Sequence, residues 1–443
     1  MADGPPDQVL FRDRGRGRAA GERRSRDRAR ALAPFLGIDI EALAASHPLT
    51  VIVTGSKGKG TAAAYASAVL IAAGLRTGTL TSPALGGNHE RIRVDGAPIT
   101  EDAYAELITR MAMALRAGEG SLPSDGYLAP TGLFSLAAVR HFLDAGCDAW
   151  VLEAGMGGAS DEVSLFAADA LVLTPVFDEH LGVLADSVAG IARDKIGAAS
   201  ASTLALWTAP QRRSVVRQEL AAARLPVETV RTAPLRGVRW PQGLGRRNAW
   251  AGAAAALALL RHAGIDIDST AVARLLNSVR LPGRLSTHMV NGRRWVVDAA
   301  ANPAAVAAAI RWCAARGISP KTVLLCIPDG KDIAGVRGVL REHHVIPVRV
   351  NVPHLTFSGW NTSLPALGDI DLATLGDTVL ALGTVSFVGE VLAVLGVPTG
   401  GLFSPGSSRS ASATRVRDAG RPALPGPGGS GAPAPRAAPA SGR

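Results

Sequence analysis

Lysine, cysteine and aromatic residues are scarce in this chain, and each scarcity excludes something. The three cysteines among 443 residues, Cys147, Cys313 and Cys326, are odd in number and form no C-x-x-C pair. They are expected as reduced thiols, which argues against a disulfide framework or a thiolate zinc site. No apolar run, free of Gly, Pro or charge, is long enough to span a bilayer. No signal-like apolar segment opens the sequence either, so a cytoplasmic protein without membrane partners is expected. Charged residues make up 19%, aromatic residues 4% and hydrophobic residues 47%. That is the balance of a globular chain with room for two cored units.

A net charge of +10 suggests a polyanion partner until it is located. Residues 1–30 hold nine Arg against five acids, and residues 404–443 hold six Arg against Asp418. The middle of the chain is therefore nearly neutral. Both ends are rich in Arg/Gly or Pro/Ala/Gly/Ser, compositions poor in apolar surface, and are expected to be disordered tails. They could touch polyanions non-specifically, but no specific nucleic-acid partner is expected. Of the 47 cationic residues only five are lysines: Lys57, Lys59, Lys195, Lys321 and Lys331. A chain that uses Arg almost everywhere keeps Lys where a compact ammonium or a reactive amine is required.

Two of those lysines lie in "LTVIVTGSKGKGTAAAYASAVLIAAG", residues 49–74. A continuous β-branched strand ends in glycine, a Gly/Lys loop follows, and an alanine-rich helix runs from Thr61 to a stop at Gly74. Strand, loop and helix in this order are the setting in which backbone N–H groups cradle phosphate. Lys59 would then reach the terminal phosphates, with the Thr61 hydroxyl near a metal. The spacing departs from the common Walker pattern: Val53 stands where the first glycine belongs, and Gly60 separates Lys59 from Thr61. A glycine-rich turn without function therefore remains the competing reading of this stretch alone.

Further strands end in polar groups at a domain's spacing. One ends at Thr81-Ser82-Pro83, a second at Glu153 before Gly-Met-Gly-Gly, and a third runs into Asp178-Glu179-His180, ahead of a helix carrying Lys195. The ligand edge of an open α/β sheet lies at such strand ends. Ser82, Glu153 and His180 could converge there on a magnesium ion shared with nucleotide phosphates. Taken singly, Glu153 reads as a helix cap and His180 as a buried partner of Asp186.

Together these motifs resemble the folylpolyglutamate and dihydrofolate synthases of the Mur-ligase superfamily, over residues 30–397. The family's T-G-T-N-G-K-G-[ST] stands here as Thr54-Gly-Ser-Lys-Gly-Lys-Gly-Thr61, and T-S-P-H-L with E-R-I-R as residues 81–85 and 90–93. Its L-E-x-G-L-G-G-R-x-D-A-T-N stands as residues 152–164, and D-H…A-R-E-K-A-G as Glu179-His180 and residues 192–197. The resemblance implies an N-terminal P-loop ATPase domain with a mostly parallel sheet (31–283) and a smaller Rossmann-like α/β domain (284–403), between the tails. It implies ATP held by Gly58, Lys59, Gly60, Thr61, Asn248, Arg284 and Asp298. It further implies magnesium, in up to two sites, held by Ser82, Glu153, His180 and a carbamate of Lys195. Lys59, Lys195 and His180 would serve catalysis, and Thr131 and Asp161 would meet the substrate.

The implied reaction turns a carboxylate into an acyl phosphate with ATP and joins it to an amine. A small-molecule acid and an amino acid are its partners, and a monomer is expected. The chain also departs from the pattern. Ala84 and Ala301 replace family histidines, Phe134 replaces the acid of P-T-x-x-E, and Ala159 and Ser164 replace Arg and Asn. Three readings compete: glutamate addition to a folate or pterin acid, amide formation on a non-folate small acid, and a non-catalytic nucleotide-binding paralogue. ADP formation, and the acid on which it depends, separates them.

Overall fold

A computed structural model describes residues 6–404 other than 20 and 353–354. The first sheet uses β1 (Leu49–Thr54), β2 (Thr77–Leu80), β3 (Ile92–Val94), β4 (Ala97–Pro98), β5 (Ala149–Glu153), β6 (Ala170–Leu173), β7 (Ala205–Thr208) and β8 (Val227–Thr229). Their order is β4-β3-β2-β5-β1-β6-β7-β8. The strands from β2 to β8 in that order run parallel, and β3 and β4 add an antiparallel hairpin at one edge. Val51, Ile52 and Val53 of β1 are fully buried. Continuous apolar strands of this kind belong in a parallel sheet covered on both faces.

One face packs Trp150 beneath Phe142 of helix Pro130–Asp144. The other packs Val51 and Val53 beneath helices Lys59–Ala72 and Leu244–His262. Alanine and glycine let those two helices meet closely: a Cβ at Gly252 would lie 2.8 Å from the Ala62 carbonyl carbon. This contact fixes the helix that leaves the Gly/Lys loop.

The second sheet uses β9 (Ser286–Val290), β10 (Arg293–Asp298), β11 (Thr322–Cys326), β12 (His344–Pro347) and β13 (Thr378–Gly383), in the order β12-β11-β13-β10-β9. All pair in parallel except β9. Strands β10 to β13 were legible as apolar runs. The edge strand β9 was not, because its residues alternate between half-buried and exposed. The end of the described chain returns to the first sheet: Leu402 N–H donates to the Gly96 carbonyl (2.9 Å) and Arg93 Nε to the Gly400 carbonyl (2.7 Å). No described helix is long and apolar enough to cross a membrane.

The expectation of a disordered tail over residues 1–30 is corrected over its described part. Val9–Ala19 and Arg26–Leu32 are helices, with Leu10, Ala29 and Leu32 buried in the first core. Tyr127 N–H donates to the Arg23 carbonyl (3.0 Å), and Ser25 N–H to the Tyr127 carbonyl (2.9 Å). Arginine-rich composition concealed a few apolar anchors, and the guanidinium groups find carboxylates and carbonyls. The tail expected over 404–443 lies outside the described residues beyond Ser404.

Candidate active site

The Gly/Lys loop leaves the C-terminal end of β1, and Gly58 caps the helix Lys59–Ala72 in a left-handed conformation (φ 89°). The side chain of Asn248, on helix Leu244–His262, sits directly against this turn: a Cβ on Gly58 would overlap its amide nitrogen. Glycine is thus required both by backbone angle and by space. The first-turn N–H groups of the helix have no intrahelical partners and form an electropositive end.

Two ammonium groups add to that potential. Lys59 Nζ and Lys195 Nζ both donate to the Gly55 carbonyl, at 3.2 and 3.1 Å. Lys195, 2% exposed, enters from helix Val188–Ile196. Burial, reinforced by the Lys59 charge, lowers its pKa to about 8 against the pull of Asp194, Glu179 and Asp161. At pH 7 about a tenth of this amine is therefore unprotonated, whereas an ordinary lysine is almost wholly charged.

Glu153, at the end of β5, is buried beside the same loop; a Cβ on Gly60 would lie 3.4 Å from its Oε2. Burial raises its pKa, opposed by Lys59, the Ser82 N–H (3.0 Å to Oε2), Arg284 and Arg91. Ser82 follows β2, and its hydroxyl accepts from Arg91 Nη1 at 2.9 Å. His180 is exposed, at φ 64° on the loop after β6. Partial desolvation by the surrounding loops, with the charges of Lys195, Lys59 and Lys57, holds its pKa below the usual value despite Glu179. Glu179 is tied to the phosphate loop by Lys57 (2.9 Å); burial raises its pKa, but Lys57, His180 and Lys59 together hold it low. The alternative in which His180 pairs with Asp186 finds no support in the contacts of either residue.

Among the described residues no three or more His, Cys, Asp or Glu side chains are grouped to hold a metal by themselves. The hydroxyl, carboxylate and imidazole of Ser82, Glu153 and His180 instead suit a magnesium ion that completes its shell with phosphate oxygens and water. A buried carboxylate with a raised pKa is the group such a cation would relieve. Ser82 N–H meets Glu153 (3.0 Å), so these two fit the ion in part, whereas among the described residues no contact joins His180 to either.

Asn248 is 2% exposed and its Oδ1 has no hydrogen-bond partner, consistent with a polar atom awaiting a ligand. Arg284, exposed on the connection between the sheets, acts electrostatically on both Glu153 and Asp298. Asp298, at the end of β10, accepts from Leu285 N–H (2.7 Å), and burial raises its pKa to about 6 against Arg284. Arg284 thus links Glu153, at the end of a first-sheet strand, to Asp298, at the end of a second-sheet strand, through its charge. Thr131 lies against Gly155, just past Glu153.

Asp161 differs from the expected substrate contact. It is fully buried, its Oδ2 accepts from Met156 N–H (2.9 Å) and lies 3.3 Å from Arg24, and its Oδ1 accepts from Val163 N–H (3.3 Å). Both oxygens organise the Gly-rich turn. Sequence reasoning gave no role to Arg24 or Asp194, which also hold that turn. Arg24 was hidden within an arginine run, and Asp194 beside the more distinctive Lys195.

No family model matches the chain. Over 287 residues it is 34% identical to a probable bifunctional folylpolyglutamate synthase/dihydropteroate synthase of Haloferax volcanii, covering 58% of this chain and 33% of the relative. It is 28% identical over 275 residues to the dihydrofolate synthase/folylpolyglutamate synthase of Escherichia coli, covering 58% of this chain and 61% of that one. The match therefore spans about a third to three-fifths of these relatives. The folylpolyglutamate synthase of Mycobacterium tuberculosis complexed with ADP and AMPPCP shares the fold. Its TM-score is 0.71 at 22% identity, over 89% of this chain and 100% of that one.

Proposed function

We propose that this chain, similar in sequence to the folylpolyglutamate/dihydrofolate synthases and sharing their fold, is an ATP-dependent carboxylate–amine ligase. The amide it forms joins glutamate to a folate or pterin acid. The observation that carries the reading is the convergence of Lys59 and Lys195 on the Gly55 carbonyl, at a helix N-terminus beside the buried Glu153. The Lys59 ammonium and free backbone N–H groups at one point favour a polyphosphate over any neutral ligand.

In the proposed mechanism the loop N–H groups and Lys59 bind the β- and γ-phosphates. An oxygen of the acid's carboxylate attacks the γ-phosphorus, and the bond to the ADP oxygen breaks. The amine nitrogen then attacks the acyl carbon of the acyl phosphate, expels inorganic phosphate and loses a proton. Charge on the transferring group is neutralised by Lys59 and the helix end. Magnesium, held by Ser82, Glu153 and His180, would supply further neutralisation of phosphate charge. The unprotonated share of Lys195 is the form that adds CO2, and its carbamate would present a carboxylate to a second cation. Arg284 and Asp298 would contact the nucleotide from the second sheet's side and help to exclude water from the acyl phosphate. The three buried free cysteines support a reducing, cytoplasmic setting.

A second acid class is favoured by one observation. Phe134, where the motif has an acid, is 2% exposed, with the Arg91 guanidinium 4.6 Å above its ring and Phe11 edge-on. The carboxylate that the motif places there is absent, and a packed core residue stands in its position, which favours an acid that does not need that contact. The test is ADP release by the purified protein with ATP and magnesium, crossing dihydropteroate and tetrahydrofolate with glutamate and a panel of amino acids. Release that requires a folate and glutamate supports the first reading, and release only with other acids supports the second. No release with any pair leaves a nucleotide-binding protein without catalysis.

A further inference from the structure

The N-terminal segment reaches the site through a continuous series of contacts. Arg24, its side chain 10% exposed, donates from Nη1 to the Met156 carbonyl (2.6 Å) and from Nη2 to Glu162, beside Asp161. Arg26 Nη1 donates to the Ala159 carbonyl (2.7 Å) and the Ser164 hydroxyl (3.1 Å). The turn they grip is docked in turn on the residue before Lys195. Gly158 N–H and Ser160 N–H donate to the two Asp194 carboxylate oxygens (2.8 and 3.0 Å), and Ala159 N–H to the Asp194 carbonyl (2.7 Å). The approach is close enough that a Cβ on Gly158 would lie 2.6 Å from the Lys195 Cα. The same turn begins three residues after Glu153.

The substitutions in these motifs meet the same segment. Where the family pattern has Arg, Ala and Asn, this chain has Ala159, Glu162 and Ser164. Arg26 contacts the first and last of these, and Arg24 the middle one. Phe134, which replaces the acid of P-T-x-x-E, is met by Phe11. A turn that has lost its own arginine is thus held by two others from a distant stretch of the same chain.

We propose that Arg24 and Arg26 are positioning residues of the site, supplied by the N-terminal segment, which hold the 156–164 turn against Asp194 and so keep Lys195 and Glu153 in register. The effect on turnover rests on the ligase reading, whereas the mechanical coupling does not. The test is hydrogen–deuterium exchange of the full chain, with ADP as the binding probe. Arg24→Ala strands two buried carboxylates and is expected to impair folding, so Arg26→Ala and Arg24→Lys carry the experiment.

Arg26→Ala should raise exchange about tenfold in peptides covering both 156–164 and 192–197. Thermal stability and ADP affinity should stay close to wild type. Arg24→Lys, which keeps the charge but loses the fork, should raise exchange by less, and Arg30→Ala, on the exposed face of the same segment, should not raise it. Faster exchange confined to 156–164, or the same increase in Arg30→Ala, would overturn the proposal. With an active acid and amine pair, Arg26→Ala should lower kcat several-fold at unchanged KM for ATP. Absence of ADP release by the wild type would refute the ligase reading while the exchange result still decides the coupling.

Discussion

Gly58→Ala perturbs the phosphate loop at its most constrained point. The residue has φ 89° and ψ 11°, and a side chain held there costs about 1–2 kcal/mol. The new Cβ would also lie 2.8 Å from the Asn248 Cγ and overlap the amide nitrogen. Asn248 is 2% exposed and has little room to retreat, so overpacking adds roughly 1–3 kcal/mol. The sum, roughly 2–5 kcal/mol, should appear in the first transition of a urea titration followed by tryptophan fluorescence. ADP affinity should fall with it, because the loop must move to admit the methyl group. Asn248→Ala removes the steric part but not the backbone part. The double variant should therefore be less destabilised than the sum of the single ones, by roughly 1–3 kcal/mol. Additive costs, or a Gly58→Ala protein with wild-type stability and ADP affinity, would refute the reasoning.

Three other outcomes are expected. Lys59→Ala should reduce ADP formation by at least two orders of magnitude, measured with a coupled assay; activity within threefold of wild type would remove Lys59 from the phosphate site. Lys195→Ala should be inactive and partly restored by acetate or propionate in place of the carbamate, whereas full activity without them would show the carbamate to be unnecessary. Asp298 has a folded-state pKa of about 6, above its ordinary 3.8, so the native state binds its proton more tightly than the unfolded chain does. The associated stability is complete below about pH 4 and lost as pH rises through 6. Asp298→Asn should then be more stable than wild type at pH 7.5, by roughly 1–3 kcal/mol, and equal to it at pH 4. An equal difference at both pH values in thermal melts would contradict this.

The parallel sheet and the phosphate loop were legible because their signals are local. An uninterrupted β-branched run, a Gly/Lys loop and an alanine-rich helix each carry their own physics, as do the apolar runs that became β10, β11 and β13. The short strands β7 and β8 and the edge strand β9 carry weaker patterns and depend on neighbours for pairing. Arg24 and Arg26 were not legible at all. Composition alone assigns an arginine-rich stretch to solvent, and only the fold brings Met156, Ala159 and Glu162 within reach of those guanidinium groups. Asp161 fails in the opposite direction. It stands at a motif position, but its oxygens are engaged by backbone N–H groups and Arg24, a commitment that spacing cannot reveal.

Activation of a carboxylate by phosphoryl transfer is the central claim, and oxygen-18 tracing tests it most directly. The acid that supports ADP release is labelled in its carboxylate, and the inorganic phosphate formed with ATP, magnesium and the amine is analysed by mass spectrometry. The account predicts one labelled oxygen per phosphate released, carried over when the amine displaces the acyl phosphate. Phosphate free of label, or ADP release that continues without the acid, would contradict it and leave a phosphate loop that hydrolyses ATP with water.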